Sequence, residues 1–160
     1  MHLWQLEKWT KYYDSCDCRK GLRVHYEPPV NQEVKQAIHN FCLWLRREFY
    51  FPIRVNVYVK ASDTIKAMDG ERVSATFFGP YNHLFEPYIR ISTGDYLKRR
   101  EKIGRDNALA SILFSLAHEL SHYYQWINDI NLTPIGLERQ ATRYAEGILA
   151  EYSDYTESVF

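Results

Sequence analysis

Cysteine is scarce, and the three that occur, Cys16, Cys18 and Cys42, are an odd number. Cys16 and Cys18 stand too close to bridge each other easily, so the chain does not read as a disulfide scaffold, and a reduced, intracellular setting is expected. No second CxC and no histidine pair accompanies them, which removes the case for a thiolate metal site there. Long apolar runs are also missing. Nowhere do about twenty apolar residues stand together, and the opening segment MHLWQLEKWTKYYDSCDC lacks the apolar core of a secretory signal. The expectations are a cytoplasmic protein with no membrane association. Charge of one sign is lacking as well: Lys plus Arg and Asp plus Glu stand at 20 each. With no net field to draw in a polyanion, a general nucleic-acid binder is disfavoured and no nucleic acid is expected as a partner. There is no repeat and no low-complexity segment, and 160 residues suit a single domain spanning residues 1–160.

Aromatic residues, by contrast, are abundant at 16%, with 13 Tyr, while the apolar share of 46% and the charged share of 25% are ordinary for a globular chain. Leu3, Leu6 and Trp9 fall at helical spacing within residues 2–13, a short amphipathic helix. Val34, Ile38, Phe41, Cys42 and Leu45 form one stripe, predicting a helix over residues 31–50. Ile53, Val55, Val57 and Val59 alternate with polar residues up to Lys60, the period of a half-buried strand. Residues 73–79 and 88–93 read as two further strands. The basic stretch 94–105 reads as a solvated helical segment. A long helix over 106–127 carries a band of Leu109, Ile112, Leu113, Leu116, Leu120 and Ile127. Thr133-Pro134 opens a last helix to about Tyr152, after which the tail is expected to fray. The fold class is therefore α+β: a small mixed or antiparallel sheet of about three strands, packed on an N-terminal helix, the long helix and a C-terminal helix.

His118-Glu119-Leu120-Ser121-His122, an HExxH motif, lies inside the long helix. Four residues advance a helix by about one turn, so both imidazoles leave one face with Cβ atoms roughly 6 Å apart and can share a tetrahedral ion. Glu119 stands about 100° around the helix, placed to act on a water beside that ion without being a ligand. Ser111, Ser115, His118, His122 and Gln125 make a polar stripe opposite the leucine band. A catalytic zinc generally takes three protein ligands and leaves one position open. No histidine follows His122, which excludes patterns with a third histidine downstream. The candidates are then Asp129, Glu138, Glu146, Glu151, Asp154 and Glu157. Glu138 is favoured because it heads a stripe of Ala141, Thr142, Ala145 and Leu149 whose small residues allow close helix approach; Glu146 is rotated roughly 80° away.

His118-Glu-Leu-Ser-His122 followed by Glu138-Arg-Gln-Ala141-Thr142-Arg-Tyr-Ala145 resembles the gluzincin pattern, HExxH plus a glutamate helix of the form ExxA(D or N)xxA. In length and element order the chain is similar to the minigluzincins and the ImmA/IrrE-type peptidases over most of residues 31–152. The resemblance implies a zincin-like fold and a single zinc ion held by His118, His122 and Glu138, with Glu119 as catalytic base. Thr142 stands where the family often has Asp or Asn to orient a ligating histidine. A peptide or protein substrate would add as a strand to the edge Ser74 to Phe78, centred on Ala75, Thr76 and Phe77. Latency through a segment filling the cleft is a further expectation, with Tyr155 and Phe160 or Trp4 and Trp9 as the fillers. His83, Tyr123, Tyr124, Arg143 and Tyr144 are the candidates for stabilising an oxyanion. The implied activity is zinc-dependent endopeptidase cleavage; the alternative is a zinc-stabilised regulatory binding module on the same scaffold.

Overall fold

In the computed structural model, which describes Leu3, Trp4 and residues 21–159, alternation along the central strands decides which way the sheet faces. Val55, Val57 and Val59 of β2 (Val55–Lys60) are fully buried, and so are Ile89 and Ile91 of β6 (Tyr88–Ser92), because a pleated strand sends alternate side chains to opposite faces. β1 (Leu22–Tyr26) pairs in parallel with β2, Leu22 opposite Val55 and Tyr26 opposite Val59. β2 pairs in parallel with β6, Val57 opposite Ile89. β5 (Ala75–Phe78) then runs antiparallel to β6, Phe77 opposite Ile89. The result is a mixed four-stranded sheet in the order β1-β2-β6-β5, with β5 at one end.

The expected three strands are thus corrected to four, and the proposed start at Ile53 to Val55. A separate two-stranded ribbon, β3 (Ile65–Lys66) with β4 (Arg72–Val73), splits the predicted 73–79 strand, so that Val73 belongs to the ribbon and only residues 75–78 to the sheet.

Parallel pairing of consecutive strands needs a crossover, and α1 (Gln32–Glu48) supplies it between β1 and β2. Asn31 caps it by accepting from the Glu33 N–H, and Val34, Ile38, Phe41, Cys42 and Leu45 are its buried stripe. The basic stretch forms α2 (Tyr96–Ile103), where Arg99 pairs with Asp95 at 2.7 Å and Arg100, together with Arg105 beyond its end, pairs with Glu33 of α1. Gly104, at φ 90°, breaks it from α3 (Arg105–Ile127). α3 buries Leu116, Leu120, Tyr124 and Ile127 against the sheet and α1.

The last helix, α4 (Pro134–Val159), runs past the expected end at Tyr152. Tyr152 packs on Phe41 and Trp44 at centroid distances of 4.8 and 5.2 Å, and the Arg47 guanidinium lies 4.7 Å over the Tyr155 ring. The tail is held by these rings. The predicted helix over residues 2–13 lies outside the described residues except Leu3 and Trp4, both buried.

Candidate metal centre

α3 is amphipathic with a difference: its second face is covered by α4 instead of water. Ala141 and Ala145 are fully buried on α4, and side chains of that size let the two axes approach closely. This brings Glu138, one turn into α4, over His118 and His122. His118 Nε2 lies 2.9 Å from Glu138 Oε2 and His122 Nε2 lies 3.0 Å from Glu138 Oε1. One ligand atom from each of the three residues falls within 4.8 Å of the others. Glu146, the rejected alternative on α4, is exposed and outside this group.

The hydrogen bonds around the histidines decide which nitrogens are available. Gln125, buried one turn beyond His122, donates from Nε2 to the Leu137 carbonyl at 2.8 Å and to Gln140 Oε1 at 3.0 Å. Its Oε1 is thereby turned to His122 Nδ1 at 2.7 Å and accepts that N–H. In neutral His122 the lone pair must then sit on Nε2, facing a carboxylate oxygen. Two acceptors at that separation need a proton or a metal ion between them. For His118 the proton is disfavoured, because burial, and then the adjacent His122, lower its pKa below the usual histidine value. Thr142 Oγ1 lies 3.4 Å from His118 Nδ1, a longer contact than the one Gln125 makes. A nitrogen, nitrogen, oxygen set of this kind is one that zinc takes, and the three side chains lie close enough to share an ion.

Glu119 differs from Glu138 in every respect that matters for chemistry. The Glu138 side chain is 63% exposed, whereas Glu119 is only 8% exposed and its carboxyl group makes no hydrogen bond among the described residues. Burial, and then the charge of Glu138, push its pKa up to about 8. It borders a cleft of about 830 Å³ together with His122 and Glu138. Thr76, Phe77 and Phe78 of the terminal strand β5 line one wall of that cleft, and Pro134 and Leu137 of α4 line another. Among the described residues no strand pairs with the outer edge of β5.

The oxyanion candidates disperse. The Tyr123 hydroxyl donates to the Ile53 carbonyl at 2.6 Å and accepts from the Ile53 N–H, and the Tyr124 hydroxyl donates to the Tyr50 carbonyl at 2.7 Å. Both are buried anchors between α3 and the segment before β2. His83 packs on Trp126 with centroids 4.3 Å apart and reaches Asp129, and it does not line the cleft; neither do Arg143 and Tyr144. Tyr155 lies on Trp44, away from the cleft, and Trp4 is a core plug whose indole N–H donates to Ser121 Oγ at 3.0 Å, so neither fills the cleft. Trp9 and Phe160 are outside the described residues.

Sequence reasoning placed Gln125 on the polar stripe but gave it no task, although its position three residues after His122 on the same face was a usable signal. Trp126 was missed: it donates to the Pro80 carbonyl at 2.8 Å and packs on Phe77, fixing the end of β5 beside the cleft. A Cβ on Gly79 would stand 2.6 Å from its ring, so that approach needs glycine. Comparison with known proteins gives no significant match to any family model, curated protein or solved structure.

Proposed function

We propose that this chain is a zinc-dependent endopeptidase of the gluzincin type, in which His118, His122 and Glu138 hold the ion and Glu119 is the catalytic base. The observation that carries the reading is the convergence of the three ligand atoms beside a buried, unpaired glutamate at the edge of a cleft walled by a sheet's last strand. When bound, zinc supplies Lewis acidity toward a peptide carbonyl and toward water, together with a positive charge that favours the carboxylate form of Glu119. Glu119 takes a proton from the attacking water at its carboxylate and delivers it to the departing amine as the amide bond breaks. Gln125 keeps the His122 ring in the tautomer that leaves Nε2 free to coordinate, and Thr142 serves His118 in the same way through a longer contact. The edge of β5 offers backbone groups to an extended peptide, with selectivity left to the side chains on either side of that strand.

The test is cleavage of an unstructured protein or peptide mixture by zinc-loaded wild type and Glu119→Gln. The expected result is cleavage by wild type, reduced on the order of 10² to 10⁴-fold in Glu119→Gln while zinc stays bound. Cleavage equal in the two proteins contradicts the role of Glu119. Zinc bound without cleavage by either protein favours the regulatory binding module.

A further inference from the structure

The cleft has two halves, because β5 sends alternate side chains to opposite faces of the sheet. On the inner side Phe77 faces Trp126, near Glu119, His122 and Glu138. On the outer side Thr76 stands opposite Arg90 in register, and Met68 and Asp69 of the turn between β3 and β4 line the same cleft. An extended peptide laid along β5 also alternates, so every second side chain would enter the outer half.

Arg90 is the cation of that outer half, and it is held in place. Its Nη2–H donates to the Lys66 carbonyl at 3.0 Å, and its Nε is enclosed with no hydrogen-bond partner. No carboxylate among the described residues lies within ion-pair distance of it, whereas Arg54, at the start of the neighbouring strand, pairs with Glu86. Asp69 lines the same half, but one of its carboxylate oxygens accepts the Glu71 N–H in the turn. A guanidinium kept partly out of water without a counter-anion is a preformed site for one, and its planar fork matches a carboxylate.

We propose that Arg90 makes the outer half of the cleft selective for an acidic side chain, Asp or Glu, in the bound peptide strand. This rests on the peptidase reading for the presence of a peptide, but it is tested by binding. A random octapeptide pool is captured on immobilised, zinc-loaded Glu119→Gln protein and the retained peptides are read by mass spectrometry. The expected result is about tenfold enrichment of Asp and Glu at one position or at alternate positions, the size of one charge-assisted contact. Arg90→Gln abolishes the enrichment, Arg90→Lys keeps part of it, and Asp69→Asn, which removes the nearby repulsion, strengthens it. Circular dichroism of each variant shows whether it is folded, and Arg90→Lys or Asp69→Asn decides the matter if Arg90→Gln does not fold. No acidic enrichment, enrichment that survives in folded Arg90→Gln, or no peptide retained at all overturns the proposal. Acidic enrichment without any cleavage by wild type leaves the Arg90 site standing and removes the peptidase reading instead.

Discussion

Glu119 sits where burial opposes its charge, and that has a consequence in the metal-free protein. Its folded pKa is raised from 4.5 to about 8, so the folded state holds a proton that the unfolded chain has released across that interval. The associated stability is present below the unfolded pKa and is lost as pH rises to about 8. With chelator present, urea unfolding of wild type should weaken by roughly 2 to 4 kcal/mol from pH 5 to 8 relative to Glu119→Gln, which has no such proton to lose. Parallel curves for the two proteins would contradict the burial argument. Gln125 makes an independent prediction. Replacing it by Leu leaves His122 Nδ1 without its acceptor, so zinc affinity measured by competition with a chromophoric chelator should fall about 10 to 100-fold with the fold intact. Unchanged affinity would mean that the ring is oriented by something else. The HExxH residues were legible because helical periodicity alone sets their direction. Gln125's task was not, since it depends on the Leu137 carbonyl and Gln140 lying across from it on α4.

The elements divide by how much of their stability is local. α3 was readable in full because its buried stripe repeats over 23 residues. β1 was missed although Leu22, Val24 and Tyr26 alternate with Arg23 and His25: the run has only five residues, and only Leu22 among them is fully buried. The ribbon β3-β4 has two residues per strand, too few for any period. The end of α4 was misread for a different reason. Its acidic and polar sequence after Tyr152 looks like a fraying tail, and what holds it is a set of rings on α1 far away in sequence. Tyr152→Ala should therefore destabilise the protein by about 1 to 3 kcal/mol in chemical denaturation, a typical cost for truncating a partly buried aromatic. A change within a few tenths would mean the contact with Phe41 and Trp44 is incidental.

At the scale of the molecule, an even balance of acidic and basic residues conceals an uneven arrangement: Glu119 and Glu138 gather at the inner half of the cleft and Arg90 at the outer half. Composition carries no trace of that separation, because the sheet order that places β5 beside α3 and across the cleft from α4 is a product of the whole chain. No helix among the described residues is long and apolar enough to cross a membrane. The α+β class was legible from the alternation of strand and helix periods. The edge position of β5 was expected from the family resemblance alone and depends in the fold on pairing between residues 75–78 and 88–92. The central claim is that two histidines of α3 and one glutamate of α4 form a single metal site. Zinc content of the purified protein, measured by elemental analysis after zinc is supplied and excess removed, tests it most directly. Near-stoichiometric zinc is expected in wild type and its loss in both His122→Ala and Glu138→Ala; no zinc in wild type, or zinc retained in both variants, would rule out the shared site.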